Sequence, residues 1–172
     1  DQLILTVLAV IVGAAAAFGT IAIRQSITYI QILLMDTSGQ SLLERASSLP
    51  WWQILFVPTL GGLLIGIFIY YLMPERKPQG IADVIEASAL RGGRMSLWGG
   101  VAAAIASAGS IGVGASVGRE GPAVHLGATF GAWVAEKLHL TRSLSRALLG
   151  CGVATAAAAA SFNAPIAGVL FA

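Results

Sequence analysis

GREGPAVHLGATFG, residues 118–131, decides how the rest of the chain is read. It sets Arg119 and Glu120 between two long apolar stretches and follows them at once with a glycine–proline step. Apolar residues run from Met95 to Val117 before it and resume through Ala135 after it. An ionisable residue at membrane depth is costly and usually marks an ion or proton pathway. From Gly121 to Ala135 there are 15 residues. That is about 22 Å of helix, too little to cross a hydrocarbon core of ~30 Å. The helix is therefore expected to begin within the membrane thickness. Proline suits a first helical turn, where its missing N–H would have been unpaired anyway. Free amides and the helix dipole at such a start attract an anion. Broken helices are tolerated at that depth only inside protein or along an aqueous cavity.

The composition agrees with a membrane setting. Only 10% of the 172 residues are charged and 56% are apolar, against about 25% charged in a soluble domain. A disordered tail and a nucleic-acid module are excluded, and a net charge of +2 implies no broad attraction to an acidic partner. Cys151 stands alone, so neither an internal disulfide nor a CxxC metal site is possible. No spacing suggests a metal or an organic cofactor.

Outward from residues 118–131, the apolar runs predict an all-α polytopic membrane protein with tilted, short and re-entrant helices. Leu3–Met35 holds one charge, Arg24, and as a helix of roughly 50 Å must tilt or project from the bilayer. It lacks a basic start and is too long for a signal peptide. The polar stretch 36–50 ends at Trp51 and Trp52, a pair suited to the water–lipid boundary. A second span runs to about Met73. Pro74–Arg94 holds a short amphipathic piece, Ile81–Ala89, and Met95–Val117 is a third apolar stretch. A polar connection, 136–146, leads to the alanine-rich run Leu148–Ser161, a break at Phe162–Pro165 and a further apolar start at Ile166. Basic residues number one in 36–50, four in 74–94 and three in 136–146. Short Lys- and Arg-rich loops stay in the cytoplasm, which puts 36–50 outside and the other two inside.

With SFNAPIAGVLF at 161–171, the stretch GREGPAVHLGATFG resembles the CLC family of chloride channels and chloride/proton antiporters. The resemblance covers the whole chain. It implies the first half of an inverted-repeat fold, with 1–172 a single partial transmembrane domain cut off after Ala172. In that family the GREGP glutamate gates the pathway, occupying an anion site when ionised and leaving it when protonated. The matching gate is Glu120, and the backbone at Gly118, Arg119, Glu120, Gly121 and Pro122 would face the anion. A second motif, GSGIP in the family, falls on Pro78-Gln79-Gly80-Ile81-Ala82. Gly80 and Ile81 match, while Gln79 replaces the serine that helps hold the central anion and Ala82 replaces the final proline. A glutamine amide can donate through its NH₂ but is larger than a hydroxyl. The implied ligand is chloride, or another small anion such as fluoride or nitrate, with protons as a second substrate in the antiporter case. A homodimer in a bacterial inner membrane is implied too. The proton-transfer region of antiporters would lie beyond Ala172.

Other readings compete. Gly114-Ala115-Ser116-Val117-Gly118 fits G-x-S-x-G, the serine-hydrolase elbow, which needs a strand before it, a helix after it and an oriented histidine such as His125. A non-transporting membrane scaffold is the third reading. An ion pair between Arg119 and Glu120 would reduce both to structure. Packed and hydrogen-bonded is the plain reading of His125, and helix capping that of Asn163. Gly62 with Gly66, and Gly127 with Gly131, have the spacing of close helix contacts.

Overall fold

The computed structural model describes residues 2–35, 49–73 and 76–157. Among these residues there are six helices and no strand. The break at 162–165, with Asn163, lies outside the described residues.

Helix α1, Gln2–Met35, is a single 34-residue rod of about 51 Å. Helix α2, Trp51–Leu72, starts beside its end, where the Gln53 Nε2 amide donates to the Leu34 carbonyl at 2.7 Å. Both are long and apolar enough to cross a bilayer. No residue of α2 is buried, and Trp51 and Trp52 are 75% and 52% exposed. This side of the protein is apolar and open, as a lipid-facing helix must be. Gly62 and Gly66 lie in that open face with nothing near their α-carbons, contrary to the packing expected of them. The contact falls instead on Gly61, which admits Val113.

Helix α3, Ile81–Ala89, has nine residues and cannot span anything. Helix α4, Leu97–Gly112, starts where the Ser96 hydroxyl accepts from the Gly99 amide at 3.3 Å. It stops five residues before the apolar run does. Gly114, with φ of +105°, takes the left-handed position, and Ala115 donates back to the Ser110 carbonyl at 2.9 Å. This pairing closes the helix's loose carbonyls and ends α4 at 16 residues, about 24 Å. Residues 115–119 then run without helix.

Helix α5, Glu120–Lys137, starts one residue earlier and ends two later than the sequence reading. At about 27 Å it is still short of a full span. It ends on His139 in the left-handed region, with the Leu140 amide on the Ala135 carbonyl at 3.0 Å. Leu140 then packs against Val12, Ala135 and Leu148. The turn is so short that α6, Arg142–Ala157, begins six residues before the expected apolar run. The first turns of α6 are polar, which hid them from hydropathy.

Helix α5 is the hub. Every residue from Ala123 to Thr129 is buried, and α5 packs on α1, α3, α4 and α6. Against α6 the backbones touch. A Cβ at Gly127 would collide with the Gly152 carbonyl, one at Gly152 with the Gly127 carbonyl, and one at Gly131 with the Leu148 carbonyl. The expected Gly127 and Gly131 contact is thus present, with Gly152 as its partner. Small residues admit such an approach where no hydrophobic force draws helices together in lipid. On α5's other flanks, Leu126 joins Ile23 and Ile27 of α1 and Ala104, Ala108 and Ile111 of α4. These contacts fix the start of α5 by its neighbours rather than by a side-chain cap.

Candidate functional site

Two helix starts meet here. Val84, four residues into α3, and Val124, five into α5, share one buried cluster with Ala128, Leu149 and Val153. Each contact lies within about 6 Å of rise from its helix's first residue, so the two amino ends approach each other. Asp83 lies within electrostatic reach of His125, which fits the same approach.

At α5, Glu120 is the first helical residue and Arg119 is the N-cap, which makes no side-chain capping bond. Pro122 occupies the first turn, where no N–H is missed. Gly118, Arg119 and Glu120 are exposed, while Gly121 and Pro122 are half-buried. The Glu120 carboxylate folds back over Gly118, and a Cβ built there would collide with its Oε2. Among the described residues no ion pair joins Arg119 to Glu120, so that structural pairing is not made. A carboxylate beside a helix start is favourably placed in the dipole, by about 0.3–1 kcal/mol when exposed. Little else restrains it.

At α3 the arrangement is closed. The Gly80 amide donates to the Asp83 Oδ2 at 2.7 Å, and Asp83 pairs with Lys77 at 3.8 Å. The helix thus caps itself with its own third residue, an acid, and an amide expected to face the anion is already occupied. Gln79 also departs from expectation. Its side chain lies against the start of α4, where a Cβ at Gly99 would come 2.9 Å from its Oε1. Ile81 is exposed. Asp83 was not singled out in the sequence, although Gly80-x-x-Asp83 carries the spacing of a capping box.

Ser116 and His125 do not form a hydrolase pair. The residues before Ser116 end a helix rather than a strand, Ser116 is exposed, and no hydrogen bond joins the two. His125 is 1% exposed, and neither ring nitrogen has a partner among the described residues. It is packed as expected but not hydrogen-bonded, an arrangement that costs about 1–3 kcal/mol per unmet group. No group of three or more metal-ligating side chains occurs among the described residues.

Comparison with known proteins accords with this geometry. A ClcB-like chloride channel protein of Ralstonia nicotianae is 38% identical over 165 residues, covering 94% of this chain and 38% of the relative. The voltage-gated ClC-type chloride channel ClcB of Yersinia pestis is 29% identical over 167 residues, 96% of this chain and 40% of the relative. ClcB of Escherichia coli O6:H1 is 30% identical over 166 residues, 95% and 39%. The chain spans about two-fifths of the length of these curated relatives. Residues 61–172, most of the chain and including both helix starts, match the voltage gated chloride channel family, and the chain belongs to that family.

Proposed function

We propose that this chain forms the first half of the transport domain of a chloride transporter, with Glu120 as the gate. The observation that carries the reading is the position of Glu120. It is the first residue of a short helix held by four neighbours, and its carboxylate is tied into no ion pair among the described residues. Ionised, it competes with chloride for the amides and dipole of that helix start; protonated, it loses this attraction and yields the place. Flux then rises as pH falls. The backbone at Gly118, Arg119, Gly121 and Pro122 forms the anion-facing loop, while Gln79, Gly80 and Ile81 stand at the neighbouring helix start, whose Gly80 amide is held by Asp83. The relatives named as chloride channels support chloride as the ion carried.

A homodimer in a bacterial inner membrane, with loops 74–94 and 136–146 in the cytoplasm, completes the reading. Passive conduction and exchange of chloride for protons both use this gate. The test is chloride efflux from liposomes holding the full-length protein, compared with Glu120→Gln. The wild type should show efflux that increases at low pH, and the variant efflux that no longer responds to pH. Equal rates with the same pH response in both would overturn the gating role.

A further inference from the structure

A second basic side chain faces the foot of α5. Arg24, the single charge in the apolar length of α1, lines a small crevice together with Arg119. Thr20, Ile23, Ile27 and Ala123 complete its walls, and its volume is about 20 Å³. A water-sized particle needs about 10–15 Å³, so the crevice has room for one monatomic ion.

The polar inventory of this crevice is lopsided. Two arginines line it and no acid does, and both arginine side chains are exposed at its mouth. The Thr20 hydroxyl already donates to the Ala16 carbonyl at 2.9 Å, which takes its proton out of use. Neither arginine forms an ion pair among the described residues, and the Glu120 carboxylate lies over Gly118 instead. Two like charges on one crevice with apolar walls repel, and an anion between them turns both into attractive partners. Guanidinium suits that task because it stays charged and is weakly hydrated. Arg24 lies about 16 Å before the end of α1 at Met35, the single charge along that apolar helix.

We propose that Arg24 and Arg119 hold one halide ion in this crevice, a waiting site beside the Glu120 gate and separate from the anion place at the start of α5. Its role in transport rests on the reading of Glu120 as the gate, but the binding itself does not. The test is a crystal of the full-length protein grown in bromide, with the halide located by anomalous scattering. Wild-type protein should show a bromide peak between the two guanidinium groups, and Arg24→Gln should lose it with the surrounding helices unmoved. No peak in the wild type, or one that survives in Arg24→Gln, overturns the proposal. Chloride efflux measured on the same preparations separates the two readings. A protein that holds bromide here yet passes no chloride keeps the site and loses the transport function. One that passes chloride without the peak does the reverse.

Discussion

The amino ends of α3 and α5 are built from similar parts and left in opposite states. Each follows a glycine-containing turn, each carries an acid in its first turn, and the two approach through Val84 and Val124. At α3 the acid is three residues inside the helix, where geometry brings it back to the Gly80 amide, and Lys77 holds it there. At α5 the acid is the first residue, where the carboxylate cannot reach back to cap its own helix in the same way. It lies over Gly118. A shift of two positions separates a structural cap from an acid that caps nothing. The α3 start is closed by its own side chain, whereas α5 is kept in place by α1, α3, α4 and α6 and its acid joins no ion pair among the described residues.

The largest effect expected of breaking this contrast is at Glu120, where removal of the charge abolishes the pH response of chloride efflux. A smaller one is expected at Gly118. Alanine there puts a Cβ where the carboxylate lies, so the acid must leave that position. Efflux from liposomes at neutral pH should rise severalfold toward the Glu120→Gln rate, and an unchanged rate would mean that the position over Gly118 does not matter to gating. The smallest is at α3. Asp83→Ala removes a helix cap worth about 1 kcal/mol, so the melting temperature of the full-length protein in detergent should fall by a few degrees. The pH response of efflux should stay. A changed pH response would show that the two starts do not divide their roles as described.

Much of this was legible in the sequence, and the parts that were not have physical reasons. The bounds of α1, α2 and α3 follow from apolar runs that end at polar stretches, and the structure agrees to within a residue. The end of α4 does not, because Gly114 stops the helix through backbone conformation while the side chains remain apolar. The start of α6 was hidden because Arg142, Ser143 and Arg146 are polar yet helical, with Arg146 donating to the Ala89 carbonyl at 3.2 Å. Glycine spacing alone does not tell a packed face from an open one. Gly127 and Gly131 meet a backbone, while Gly62 and Gly66 meet nothing. Glu120 stood out as an acid between apolar runs. Asp83 did not, because its one signal is the three-residue spacing of a capping box, here with a glycine at the cap position. Arg24 was visible as a lone charge, but its relation to Arg119 needed the crossing of α1 with α5.

If chloride and the ionised Glu120 carboxylate exclude one another, linkage requires that binding one opposes the other. Chloride added to the full-length protein in weakly buffered detergent solution should then draw protons onto it, read as a rise in the pH of the medium. The wild type should take up a fraction of a proton per chain, and Glu120→Gln should take up none while still binding chloride. Chloride binding with no proton uptake in the wild type, or equal uptake in both proteins, would contradict competition at the start of α5.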